Sequence, residues 1–229
     1  MKFVASMALA AAVSSAASAT FVQYVVVKTS ATNSGTALDV YNVFARFNGA
    51  TDTLLNAFNF NRVDGSATNM FYHKDNSDYN GGVLTTAAGT WAPQLTGSAT
   101  LNRPFDSFLV IGGNAGATNA TNADPSWPAA GGGWNRPDVP NGFNIGWFNS
   151  SPPNLQGRVG QAGNTATDVR VGQFVVGAGV DGGTWNLKLG YNSGVQGAPV
   201  QFAETTFSLP APGAIALLGL AGLAGRRRR

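Results

Sequence analysis

The chain has 229 residues, of which 11% are charged, 30 are glycine and none is cysteine. This length suits one domain with its own core, and the lack of cysteine excludes disulfides, thiolate catalysis and cysteine-ligated zinc. The formal net charge is +3, but five of the 14 basic residues lie at the two ends. Residues 20–209 carry nine basic and 11 acidic residues, a net charge of −2. Without a basic cluster, this body is not expected to bind nucleic acid.

The first residues have the three parts of a secretion signal. Lys2 precedes an apolar stretch at 4–13, and small residues then continue to Thr20. This order of charged start, apolar middle and small-residue end is typical of a signal peptide. We therefore predict a signal peptide over residues 1–19, with Ala17 and Ala19 at the recognition positions for signal peptidase and cleavage after Ala19.

The body, residues 20–208, alternates apolar and polar residues over short windows, which predicts β-strands. No segment of the body has a convincing helical pattern, and no fixed repeat indicates a β-solenoid. The predicted fold class is therefore all-β, an antiparallel β-sandwich or jelly roll. Strands are predicted at 21–29, 37–47, 54–61, 69–73, 105–111, 143–149, 169–176, 184–192 and 200–208.

A glycine-rich segment, residues 177–183, joins two of these strands. Glycines adopt positive φ without steric cost, which tight turns between antiparallel strands require. We therefore predict that the strands at 169–176 and 184–192 form a β-hairpin.

The last 21 residues, 209–229, form a tail in three parts. Pro210, Ala211 and Pro212 come first, an apolar run reaches Gly225, and four arginines, Arg226, Arg227, Arg228 and Arg229, end the chain. As a helix, the segment 211–225 would extend about 22 Å, which is less than the roughly 30 Å of a bilayer core. Such a segment suits a transient anchor, with the arginines held on the cytoplasmic side.

This tail resembles the PEP-CTERM sorting domain, in which a Pro-Glu-Pro motif, a hydrophobic segment and an arginine-rich end follow one another. Ala211 stands where that motif has glutamate. The resemblance implies recognition by an exosortase, cleavage near the motif, and release from the inner membrane to the cell surface or extracellular matrix. A plain C-terminal transmembrane anchor is the alternative.

Catalytic candidates are few, because His73 is the only histidine and Glu204 the only glutamate. A serine-histidine-aspartate triad would need His73, which the pattern predicts to be a solvated surface residue. No nucleotide-binding or zinc-protease motif is present. The chain is therefore predicted not to be an enzyme, with a secreted hydrolase as an alternative that requires His73 or Glu204 to face an aspartate in a cleft.

A short acidic run offers a weak calcium site. Residues 76–81 match the first oxygen ligands and the turn glycine of a calcium loop, but Ala87 stands where the closing glutamate would be. A turn between strands is the simpler interpretation, and no cofactor is predicted. A loose surface calcium site would use Asp75, Asp78 and Asn80.

A long proline- and glycine-rich segment, 124–153, carries Trp127, Trp134 and Trp147. Exposed coplanar indole rings would form a platform for sugar rings, whereas buried rings would attach the loop to the sandwich. The expected function is an exported, non-enzymatic protein of the cell surface or extracellular matrix that acts in adhesion, with extracellular polysaccharide as its partner. A carbohydrate-binding module that uses these tryptophans is the main alternative.

Overall fold

The computed structural model describes residues 19–65, 70–74, 84–87, 89–93, 105–113, 120–124, 127, 136, 138–140 and 145–210. The predicted signal peptide up to residue 18 and the predicted tail from residue 211 lie outside these ranges. None of the described residues belongs to a helix that could span a lipid bilayer.

The regular elements among the described residues are β-strands and one short 3-10 turn, Pro152–Asn154, which confirms the predicted all-β class. The long strands match the predicted ones to within a few residues, because their alternation is regular. The strands are β1 (Phe21–Asn33), β2 (Thr36–Phe47), β3 (Thr53–Arg62), β4 (His73–Lys74), β5 (Leu84–Thr85), β6 (Phe108–Leu109), β7 (Thr121–Ala123), β8 (Trp147–Asn149), β9 (Asp168–Gly177), β10 (Gly183–Asn192) and β11 (Gln201–Leu209).

Two antiparallel sheets pack against each other as a sandwich. One has four strands in the order β1-β2-β9-β6, and the other has five in the order β11-β10-β3-β8-β7. Strands β4 and β5 form a separate short ladder. The turn from β1 to β2 is made by Ser34 and Gly35, whose φ values of 47° and 83° match the twist of a two-residue hairpin.

Aromatic rings fill the space between the two sheets. Phe60 of β3 lies near the centre, with its ring centroid 4.8 Å from that of Trp185 and 5.7 Å from that of Phe174 in the opposite sheet. Both sheets contribute alternate residues to this core, as a sandwich requires. Its aliphatic members include Val43, Ala45, Val169 and Val171 from the four-stranded sheet, and Leu54, Leu187 and Leu189 from the five-stranded sheet.

The predicted hairpin between β9 and β10 is wrong. β9 pairs with β2 on one side and β6 on the other, so neither of its edges is free for β10. β10 pairs instead with β3 and β11 in the other sheet. The five connecting residues, 178–182, cross the roughly 10 Å between the sheets. The glycine-rich segment between β9 and β10 is therefore a connection from one sheet to the other and not a hairpin turn.

Candidate functional site

The tryptophan platform is not formed by the residues that the structure describes. Trp127 and Trp147 are 2% and 1% exposed, so neither can offer a ring face to a sugar. Trp147 packs edge-on against Phe60 at 5.6 Å and donates its Nε1 hydrogen to the carbonyl of Val110 at 3.0 Å. Trp134 lies outside the described residues. These two rings therefore belong to the core because their large apolar area is best buried there.

His73 is buried, so its predicted place on the surface is wrong. Its side chain is closed to solvent, with Nδ1 3.9 Å from Oδ1 of the buried Asp106. The ring meets Trp91 edge-on at 4.6 Å. Gly89 makes this burial possible, since a Cβ at that position would lie 2.2 Å from the His73 Cβ. His73 and Asp106 are thus neighbours, which the hydrolase alternative requires, but they lie in the core and not in a cleft that a substrate could enter.

Glu204 lies on the surface of the five-stranded sheet and has polar partners. Its Oε1 accepts hydrogen bonds from the side-chain amides of Asn59 and Asn186, and its Oε2 lies 3.9 Å from Nζ of Lys188. These partners are two amides and an amine, so among the described residues Glu204 does not face an aspartate as the hydrolase alternative requires. The arrangement is a surface polar cluster that links β3, β10 and β11.

The predicted calcium ligands, Asp75, Asp78 and Asn80, lie outside the described residues. Elsewhere in the described part of the chain, no three histidine, aspartate or glutamate side chains gather as a metal site would require. The predicted sorting residues also lie outside it, apart from Pro210, whose carbonyl accepts a hydrogen bond from the Tyr41 hydroxyl at 2.6 Å. Of the two predicted signal-cleavage residues, Ala19 is described and is buried.

A groove crosses the outer face of the five-stranded sheet, and we call it the phenylalanine groove. Its volume is about 630 Å³. The strand register places four residues in one row across the sheet: Phe148 faces Asn56, Asn56 faces Gly190, and Gly190 faces Phe202. Phe148 and Phe202 are thus three strands apart, or about 14 Å. The other lining residues include Phe58, Asp124, Asn149 and Pro152.

The exposed side of this groove is aromatic. Phe202 is 58% exposed, although it stands on a strand whose other outward residues are polar. Its ring meets that of Phe58 edge-on at 6.0 Å. Nζ of Lys188 lies 5.4 Å from the centroid of the Phe58 ring and 5.7 Å from that of Phe202, within cation–π range. Two rings are therefore held in position while remaining open to solvent.

The floor of the groove carries an amide with free hydrogen-bonding capacity. Oδ1 of Asn56 is buried and has no hydrogen-bond donor among the described residues. This side chain lies over Gly190, where a Cβ would come 2.2 Å from Oδ1 and 3.2 Å from the ring of Phe202. Glycine therefore leaves the space in which the amide and the ring meet. An unpaired buried amide is costly unless a ligand completes its hydrogen bonds.

One residue of this groove carries a signal in the sequence that the prediction of a tryptophan platform did not use. Phe202 shares its phase of β11 with polar residues, whereas Phe207 and Leu209 of the other phase are buried, so the alternation predicts that Phe202 faces solvent. Phe58 carries no such signal, because strict alternation would place it on the same face as the buried Phe60, and an irregularity in the pairing of β3 with β10 between them changes the face. An exposed large apolar side chain on a polar face indicates an interaction surface more strongly than a tryptophan in a long loop does.

Comparisons with known proteins do not identify a relative. No family model matches the chain, and no curated protein or solved structure matches it.

Proposed function

We propose that this chain is an exported, non-enzymatic protein of the cell surface or extracellular matrix that adheres to polysaccharide through the phenylalanine groove. The observation that carries the proposal is the row Phe148, Asn56, Gly190 and Phe202, which combines ring faces, an unsatisfied amide and a flat glycine floor. Sugar rings have apolar CH faces and polar edges. In this row the phenylalanine rings would contact the CH faces, and the Asn56 amide would bind the hydroxyl groups at the edges.

The charge of the groove favours a neutral polymer. Lys188 is engaged with two rings and lies near Glu204, and Asp124 is at the other end. The phenylalanine groove is open along the sheet and is not a closed pocket, which suits an extended polysaccharide better than a small molecule. Contact would come from several weak stacking interactions, so we expect affinity to rise with the number of sugar residues.

Export is supported by the two ends of the sequence. The signal pattern precedes Thr20, where the first strand is about to start, and the sorting motif begins at Pro210, directly after β11. Both processing sites therefore flank the folded body without interrupting a strand. The proposed partners are signal peptidase and an exosortase, with a transient inner-membrane anchor before release.

Binding of a soluble neutral polymer, hydroxyethylcellulose or dextran, to residues 20–210 tests the groove by affinity electrophoresis. We predict that Phe202→Ala weakens retardation about five-fold to ten-fold, since one stacked ring contributes about 1 kcal/mol. Val195→Ala is the matched control, because Val195 is also exposed but is not among the groove residues.

Phe58→Ala should act like Phe202→Ala. Asn56→Ala should also weaken binding, because it removes the amide of the groove while leaving the rings of Phe58 and Phe202 in place. Equal retardation of the wild type, both phenylalanine variants and the control, with the fold intact by circular dichroism, would overturn the groove as the binding site.

A further inference from the structure

A second cavity lies on the outer face of the other sheet, beside Arg170. Arg170 stands on β9 between Val169 and Val171, which point into the core, so its side chain leaves the sheet on the outer face. It pairs across the strands with Phe44 of β2. The cavity has a volume of about 370 Å³, and its lining includes Val27, Asn42, Phe44, Gly113, Asn164 and Arg170.

Among the described residues, the contacts of the Arg170 guanidinium are with neutral side chains. Its Nη2 donates to Oδ1 of Asn42 and to Oε1 of Gln173, the latter at 3.0 Å, and its guanidinium carbon lies 5.1 Å from the centroid of the Phe108 ring. Its Nε is buried and has no acceptor in the described part of the chain. The ion pairs among the described residues include none to Arg170.

Arg46, on the same face of the sheet, is by contrast paired with a carboxylate. Arg46 donates from Nε and Nη2 to the two carboxylate oxygens of Asp168, at 2.7 and 2.8 Å. Both oxygens of the Asp168 carboxylate are thus engaged by Arg46. A cation taken out of water without a counter-charge is costly, and such groups persist mainly where binding requires them. Burial alone lowers the pKa of Arg170 to about 10, so its guanidinium is still charged at neutral pH.

We propose that this cavity binds the carboxylate of an acidic sugar residue, with the guanidinium of Arg170 as the group that recognises the charge. One arginine without a second cation matches a single negative charge better than a doubly charged phosphate. Val27 and Phe44 supply an apolar wall for the sugar ring, and Asn42 supplies an amide at its edge. This site lies on the opposite sheet from the phenylalanine groove and does not depend on it.

The test uses tri-galacturonate and its fully methyl-esterified form, which keeps the sugar rings but removes the charge. We expect wild-type residues 20–210 to bind the acid at least ten-fold more tightly than the ester by calorimetry. Arg170→Gln should abolish that preference. Arg46→Gln, on the same sheet face, and Phe202→Ala, in the phenylalanine groove, should both keep it.

A direct readout avoids dependence on a variant that fails to fold. In the wild-type protein, the Nε–H signal of Arg170 in nitrogen-15 NMR should shift when tri-galacturonate is added and stay unchanged with the ester. Equal affinity for acid and ester would overturn the proposal, as would an unmoved Arg170 signal. Inorganic sulfate that binds at Arg170 while tri-galacturonate does not would also overturn it, because the site would then select a free anion.

Discussion

The buried carboxylate of Asp39 connects three segments of the chain. Its Oδ1 lies 3.0 Å from Nζ of Lys28, and its Oδ2 accepts the backbone N–H of Gly179 at 3.0 Å. Asp39→Ala should lower the free energy of unfolding by about 3 kcal/mol, because it leaves Lys28 half-buried without its partner. Asp64→Ala is the control, since the carboxylate of Asp64 is 56% exposed beside Arg62 and should contribute under about 1 kcal/mol. Equal costs in urea unfolding would contradict this account.

The ion pair of Arg46 and Asp168 should make stability depend on pH. Hydrogen bonds from Arg46 hold the pKa of Asp168 below its usual value. A lowered pKa means that this stabilisation is complete above the ordinary aspartate pKa of about 3.9 and is lost as the pH falls through the lower folded-state value. Asp168→Asn should therefore cost up to about 1 kcal/mol at pH 6 and progressively less below pH 4. A cost that does not change with pH would refute the assignment.

The first residue of the proposed mature chain lies beside a buried acid. The backbone nitrogen of Thr20 is 3.3 Å from Oδ2 of Asp52, which also accepts the N–H of Gly49 at 2.9 Å. Cleavage after Ala19 would turn this nitrogen into an ammonium group and the hydrogen bond into an ion pair.

A chain that starts at Thr20 with a free amino group should therefore be about 1–3 kcal/mol more stable than its N-acetylated form. Asp52→Asn should remove most of that difference. Thermal unfolding of the four proteins would show it, and equal stability of the free and acetylated chains would speak against the ion pair.

At the scale of elements, Gln156 connects segments that have little regular structure. Its Nε2 donates to the carbonyl of Ile111 at 2.9 Å, and its Oε1 accepts the N–H of Ala120 at 2.6 Å. We expect Gln156→Leu to lower the free energy of unfolding by about 2–4 kcal/mol, since it leaves buried backbone groups unpaired. Gln161→Leu, at an exposed position, should change it by less than about 0.5 kcal/mol. Similar effects of the two substitutions would contradict a bracing role for Gln156.

The long strands could be predicted from the sequence, and the short ones only in part. β10 alternates over most of its length and β2 over residues 41–47, so the inward faces of these stretches follow from the residues alone. β6 and β8 have only two and three residues, and they are defined by pairing with strands distant in sequence, β6 with β9 and β8 with β3. The β9–β10 connection was predicted wrongly because turn composition does not reveal which strand edges are already occupied.

At the scale of the whole molecule, the residues that make up each candidate site are set by strand pairing, which the sequence does not reveal. Phe148, Phe58 and Phe202 come from three strands and meet only through the register of the five-stranded sheet. Trp127 and Trp147 lie in a proline- and glycine-rich segment, which suggests a surface platform, but the structure buries both rings in the core and places Trp147 on β8. Nothing in the sequence distinguishes Arg170 from another strand arginine, because the feature that matters is that its described hydrogen-bond partners are amides and not carboxylates.

The two outer faces give the sandwich two separate candidate contact surfaces, one aromatic and one centred on a cation. A body with both could connect two polymer chains, which is what adhesion in an extracellular matrix requires. That role depends on the protein leaving the cell and losing its tail.

The intact mass of the native protein, recovered separately from the cell envelope and the extracellular matrix, tests export and removal of the tail most directly. We predict a matrix form that lacks residues 1–19 and the tail beyond the motif at Pro210. A mass that still includes Arg226 to Arg229, found only in the membrane fraction, would contradict exosortase processing and indicate a permanently anchored protein.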